Sequence, residues 1–210
     1  MNNYFDDLNI LPNNKVISEM RKYAKTNKVP IINDDGLTLM LTLIDLIKPK
    51  KFLEIGTAIG FCSICIASYD NNILIDTIER DEVMYEEAIK NIHSAKLNHQ
   101  INVFHADALE FDISNLSNDY DMIFIDAAKA QYIKFFEKYE LLLNDEGIII
   151  TDNLLFHGLV VNRSNIENKN LKSLVTKIDY FNYWLKKNKY YSTRFLNIGD
   201  GLAISRRVKK

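Results

Sequence analysis

Apolar positions along this chain switch between two spacings. Five short stretches, at 51–55, 74–78, 101–105, 120–125 and 146–151, are rich in Ile, Leu and Phe and are too short for helices, so they read as buried strands. The segments 61–68, 81–95 and 129–143 between them read as helices. Strands alternating with helices mean βαβ units, and so an α/β fold with a mostly parallel sheet and helices on both faces. Two more helices precede the first strand. In the first, 13–25, Val16, Ile17, Met20 and Tyr23 share a face. In the second, 35–47, Leu37, Met40, Leu41, Ile44 and Ile47 do so, with Asn33 or Asp34 as the cap. The link Val29-Pro30-Ile31-Ile32 is extended, because proline disfavours helix in the residue before it. These helices, within residues 1–48, are placed to cover the ligand end of the sheet as a lid. After a polar break at 162–170, Leu171, Leu174, Val175, Ile178, Phe181 and Leu185 form the stripe of a long helix. The last two strands meet at Ile198-Gly199-Asp200-Gly201, where glycine permits a tight turn, giving an antiparallel hairpin at one end of the sheet. No repeat or linker divides residues 1–210, so one domain is expected.

Composition alters this picture little. The chain is 47% apolar and 26% charged, with three Pro and seven Gly. No apolar run approaches a membrane span, and the start, MNNYFDDLNI, lacks the order of a signal peptide. Two Cys make no disulfide framework. A cytoplasmic protein without membrane contact is expected. Charge is more telling. The net value is −2, yet residues 163–210 hold twelve Lys or Arg against three acids, a balance of +9, and residues 1–162 a balance of −11. Such asymmetry marks either a nucleic-acid face or a solvated helix face with a basic tail.

Candidate chemistry gathers at the carboxyl ends of the strands, where open α/β sheets bind ligands. The first strand runs into Glu54-Ile55-Gly56-Thr57-Ala58-Ile59-Gly60. Glycines there let the backbone turn tightly and approach a ligand, and the following helix offers free N–H groups. Glu79 ends the second strand, where an acid can accept both hydroxyls of a ribose. Together these suggest a nucleoside-containing cofactor; plain tight turns are the alternative. Asp107-Ala108 follows the third strand and Asp126 the fourth. The stretch 147–160, GIIITDNLLFHGLV, carries Asp152-Asn153 at the end of the fifth. That pair either stops a strand or, with Asp126, supplies three oxygen ligands of an incomplete octahedron suited to Mg²⁺. Lys129 lies three residues past Asp126, as a base of lowered pKa or as an exposed lysine at a helix start. Cys62 and Cys65 match a redox spacing but read better as small packed helix residues. Of the four His, only His157, just past the Asp-Asn pair, is placed to matter.

FLEIGTAIGFCSICIA, FIDAAKAQY and TDNLLFHG, in this order, resemble the cofactor loop and the two metal-binding segments of the metal-dependent S-adenosylmethionine O-methyltransferases, the group of catechol and caffeoyl-CoA O-methyltransferases. The resemblance covers nearly the whole chain. It implies a Rossmann-like methyltransferase fold with a seven-stranded sheet and an antiparallel C-terminal hairpin strand. It implies metal ligands Asp126, Asp152 and Asn153, with Lys129 and Asp126 catalytic. The cofactor, S-adenosylmethionine, would meet Ile32, Glu54, Gly56, Gly60, Cys62, Ser63, Glu79, Asp107, Ala108 and Asp126. The family usually has Ser where this chain has Cys62, so Ser63 or backbone N–H stands in for that contact. Many bacterial relatives carry Lys or Arg at His157.

The ending NYWLKKNKYYSTRFLNIGDGLAISRR is similar to a bacterial branch that methylates 5-hydroxyuridine at the tRNA wobble position. On that reading the partner is a tRNA anticodon loop, the enzyme is a homodimer, and Lys172, Lys177, Lys186, Lys187, Lys189, Arg194, Arg206 and Arg207 are phosphate contacts. Tyr132 and Phe156 could stack on a base or pack in the core. A catechol-like or caffeoyl-CoA-like phenol is the alternative substrate, since metal chelation asks only for two adjacent oxygens. A non-catalytic cofactor- or RNA-binding relative is the third reading, and the intact ligand trio with Lys129 argues against it.

Overall fold

The computed structural model describes Tyr4, Phe5 and residues 8–209. Seven strands form one sheet: β1 Lys51–Ile55, β2 Leu74–Glu79, β3 Ile101–His105, β4 Tyr120–Ile125, β5 Leu143–Thr151, β6 Tyr191–Leu196 and β7 Leu202–Arg207. Their order is β3-β2-β1-β4-β5-β7-β6. The first five pair in parallel, β7 runs antiparallel to β5, and β6 pairs antiparallel with β7. The chain order reverses direction between β1 and β4, and at such a switch point the loops part and leave a crevice.

The period-two alternation of the strands sorts side chains onto two faces. On one face Phe52, Ile75, Met122, Phe124, Ile148 and Ile150 pack against α1 Lys15–Asn27, α2 Asp34–Ile47 and α3 Phe61–Tyr69, and Ile92 of α4 Glu82–Ser94 joins the same cluster. On the other, Leu53, Ile55, Ile123, Ile125 and Ile149 meet α5 Tyr132–Tyr139 and α6 Lys169–Lys187. Asn33 caps α2, its side chain accepting from the Gly36 N–H at 2.8 Å. The two N-terminal helices lie within the apolar layer: Ile17, Met20, Leu37, Met40 and Ile44 are all buried there.

Two boundaries differ from the sequence reading. The stretch 129–143 is not one helix. A 3-10 turn at Lys129–Gln131 leads into the eight residues of α5, and a second at Glu140–Leu142 leads out. β5 also starts earlier, at Leu143, which pairs with Tyr120 before the register shifts toward Met122.

The tightest apolar packing on the α5–α6 face surrounds Phe136, which is fully buried with its ring 5.3 Å from Trp184 and 5.0 Å from Tyr191. Phe136→Ala should therefore cost about 3–5 kcal/mol. A lowered urea midpoint with an unchanged slope is the expected result.

Candidate active site

Strand register builds the site. Ile55 pairs with Ile125, and Ile125 with Thr151, so the next residue of each strand, Gly56, Asp126 and Asp152, emerges side by side. The Asp126 N–H donates to the Ile55 carbonyl at 3.0 Å, and the Asp152 N–H to the Ile125 carbonyl at 3.2 Å. Gly56 has φ +101°, and a Cβ there would lie 2.3 Å from the Asp126 carbonyl oxygen. Only glycine lets these two backbones come so close.

Asp126, Asp152, Asn153 and Lys129 converge. The Asn153 Nδ2 donates to Asp126 Oδ1 at 3.0 Å, and Lys129 Nζ reaches the same oxygen at 3.4 Å. Burial raises the Asp126 carboxyl above the usual carboxylate range, opposed by Lys129. Asp152 is pushed up to about 7 by burial first and by Asp126 next, while the Asn153 N–H and Lys129 pull it down. Two carboxylates with one lysine between them are short of positive charge. Among the described residues no three His, Cys, Asp or Glu are grouped to hold a metal ion; the set here is two carboxylates and a carboxamide. Tyr132, assigned above to base stacking or the core, is buried and donates to the Asp152 carbonyl at 2.9 Å. Phe156 is partly buried against a small cluster around Val175 and Ile178.

On the other side of Gly56 a cavity of about 320 Å³ is lined by Gly56, Glu79, Asp107, Ala108, Ala127 and Gln131. Of the turn Gly56–Gly60, Gly56 lines it beside β2, with its N–H on the Ile78 carbonyl at 3.0 Å. Glu79 is held from both sides: Oε2 accepts from the Ala58 N–H at 2.8 Å, and Oε1 from the N–H groups of Arg80 and Asp81 at 2.9 and 2.8 Å. Asp107 accepts from the Leu109 N–H at 2.8 Å and faces the Arg80 guanidinium at 3.6 Å. Arg80, Gln131 and Phe135 also line this cavity, and the sequence reading missed them. An arginine directly after Glu79 was the signal available.

Glu54, Cys62 and Ser63 are buried and do not line this cavity. Ser63 is fully buried and donates to Glu54 Oε2 at 2.6 Å, and Thr77 donates to the same oxygen at 2.9 Å. The Ser63 hydroxyl is therefore already engaged inside the protein. Cys62 and Cys65 are buried free thiols, and burial holds both in the protonated, unreactive form. Ile32 turns its side chain into the apolar layer, against Gly36 of α2.

The loop after Asn153 is strained. Asn153, Phe156 and His157 have φ of 63°, 46° and 55°, a region that non-glycine residues rarely adopt. The β6–β7 turn holds it. The Leu154 and Leu155 N–H groups donate to the Gly201 and Asp200 carbonyls at 2.9 and 2.8 Å, and the His157 N–H to Asp200 Oδ1 at 2.6 Å. His157 itself is exposed, its ring 3.6 Å from the same carboxylate.

A family model described as O-methyltransferase matches residues 9–208. The chain belongs to the O-methyltransferase family. Among solved structures, a Staphylococcus aureus protein provisionally named as a caffeoyl-CoA O-methyltransferase superposes on this family member with a TM-score of 0.89, at 43% identity over 93% of each chain. A Bacillus cereus O-methyltransferase solved in complex with SAH has a TM-score of 0.82 at 24% identity, covering 98% of this chain and 96% of its own. Among curated relatives, the Populus kitakamiensis caffeoyl-CoA O-methyltransferase is 28% identical over 194 residues, 90% of this chain and 82% of its own. This O-methyltransferase has no helix, among its described residues, long and apolar enough to cross a membrane.

Two expectations attach to these contacts. Burial pushes the Glu54 carboxyl up from 4.5 to about 7, against hydrogen bonds from Ser63 and Thr77. The folded chain then keeps a proton that the unfolded chain releases, so stability falls as pH rises through that window. Glu54→Gln should remove the Glu54 share of the fall, on the order of 3 kcal/mol, and leave that of Asp152. Urea midpoints across the window measure it, and an unchanged slope would rule out Glu54 as its source. Asp200→Ala removes a charged acceptor from the His157 N–H. Amide exchange at His157, followed by NMR, should speed up by about tenfold.

Proposed function

We propose that this chain transfers the methyl group of S-adenosylmethionine to a substrate hydroxyl that has a second oxygen beside it, with a divalent cation such as Mg²⁺ held by Asp126, Asp152 and Asn153. The observation that carries this reading is the pair of carboxylates, the partly buried Asp126 and the buried Asp152, set side by side next to a cavity that Gly56 lines. An all-oxygen donor set suits a hard cation, and a cation would offset the burial and the neighbouring Asp126 charge that together raise Asp152. The carboxamide now offers its nitrogen to Asp126; a half-turn of the side chain presents its oxygen instead. Relatives solved with SAM or SAH support the donor.

When bound, the cation lowers the pKa of a hydroxyl placed on it, and the sulfonium supplies an already reactive methyl. The chain's own residues position and shield. Glu79 accepts from a ribose, with Asp107 and Ala108 beside the base. The backbone around Gly56 to Gly60 faces the amino-acid end. Lys129, 3.4 Å from Asp126, takes up the proton of the reacting hydroxyl or offsets the charge it leaves. Gly56 and Asp126, in backbone contact, fix the donor side against the acceptor side.

For the acceptor we favour 5-hydroxyuridine at the tRNA wobble position, whose 5-hydroxyl and C4 carbonyl are adjacent oxygens. The exposed lysines of α6 support it, because phosphate contacts need such charge. A catechol-like or caffeoyl-CoA-like phenol is the second reading, and the plant relatives' names favour it.

Transfer of labelled methyl to tRNA carrying 5-hydroxyuridine and to a catechol, each with and without EDTA, separates the two. We expect EDTA-sensitive labelling of the tRNA; labelling of the catechol alone would sink the RNA reading. Asp152→Ala should abolish transfer while donor binding, read by calorimetry, largely survives. Undiminished transfer would remove the metal site.

A further inference from the structure

A larger cavity than the one at the strand ends lies elsewhere. It is a groove of about 1010 Å³ where the ends of α5 and α6 meet the start of β6 and the end of β7. Glu140 and Leu141, which line it, immediately precede β5, so it lies at the amino edge of the sheet. β5 alone spans roughly 26 Å from there to the catalytic edge.

Its walls combine stacking surfaces with positive charge. Tyr180, Tyr183 and Tyr190 are 65%, 53% and 76% exposed, and the partly buried Trp184 also lines the groove. Lys187 and Lys189 make no ion pair among the described residues, and Lys186 sits 5.8 Å from the Tyr183 ring centre. The acids of the groove are few and largely committed. Glu140 accepts from the Tyr191 hydroxyl, and Arg207 lies across the Glu140 carbonyl and Tyr191. Glu137 is the uncommitted one. Water-exposed tyrosines in such number are not explained by the core, which Phe136, Phe181 and Leu185 already fill. The solvent face of α6 connects the two ends of the molecule. Lys172, Thr176, Tyr180, Tyr183 and Lys187 fall three or four residues apart and are all exposed. Lys172 and Lys187 are about 22 Å apart along the helix. α6 packs on the 3-10 turn that carries Lys129.

We propose that this groove binds an unpaired stretch of the substrate RNA, with bases on Tyr183 and Tyr190 and phosphates on Lys187 and Lys189. This rests on the RNA reading of the acceptor. A polyanion fits the charge, and a single strand fits the aromatics, because every base has a face to stack. The RNA runs along α6, so that its loop enters the catalytic edge while a more distant segment occupies the groove. A short stem-loop does not reach both; a whole tRNA does.

The test compares two probes on the full chain by fluorescence anisotropy: an unmodified full-length tRNA transcript and its isolated anticodon stem-loop. The wild type should bind the full transcript about tenfold tighter, and Tyr183→Ala with Tyr190→Ala should erase most of that difference. Lys187→Glu with Lys189→Glu should also lower the salt slope for the full transcript by about two. Circular dichroism melts establish that the variants are folded. An equal loss on both probes, or no loss, overturns the groove while leaving the RNA substrate intact. A change of native mass in the variants assigns the groove to a second copy of the chain and overturns the proposal. A wild type that binds neither probe defeats the RNA reading itself.

Discussion

The constraint on which this molecule depends is the parallel pairing of β1, β4 and β5 in one register. Three apolar strands run through the middle of the sheet, buried on both faces, and they stop on the same line. Because they stop together, the first polar residue after each emerges at one place. Glycine at 56 then becomes a requirement rather than a preference, since its neighbour across the gap is the backbone of Asp126. A slip of one residue in β4 or β5 would turn an aspartate into the core and an isoleucine toward the ligand. The apolar runs that drive folding thus also set the spacing of the charges.

Those charges are placed against their own solvation. Glu54, Asp126 and Asp152 all sit where burial raises them. The hydroxyls of Ser63 and Thr77 serve Glu54, but Asp126 and Asp152 have only Lys129 and hydrogen bonds from Asn153. Perturbed carboxylates without full internal compensation are a mark of a working site. The sheet is where such a cost can be carried, because its apolar layers do not depend on these groups.

Much of this was readable in the sequence. The strands were visible because their apolar runs are continuous, and α6 because its stripe holds for about four turns. The convergence of Asp126 with Asp152 and Asn153 followed from parallel strand ends. Other features were hidden for physical reasons. Residues 129–143 have an unbroken helical pattern, yet the Tyr132 hydroxyl is tied to the Asp152 carbonyl and β5 draws Leu143 into the sheet. Tertiary contacts decided where that helix begins and ends. Asn144 and Asp145, left between that helix and the strand read from 146, are part of β5, where the register shifts. The burial of Ser63 was invisible, since its partner Glu54 lies nine residues back and reads as a strand end. The strain at Phe156 and His157 leaves no trace in residue type, and its restraint comes from Asp200, more than forty positions on.

That separation has a consequence for the order in which the protein is made. A growing chain that has reached the end of α6 already owns every carboxylate of the site. It lacks β7, and with it the turn that grips Leu154, Leu155 and His157. Until that strand slides in beside β5, the loop is free to relax out of its left-handed conformations. Competence therefore arrives with the last strand, and an unfinished chain stays silent although all its chemical groups are present.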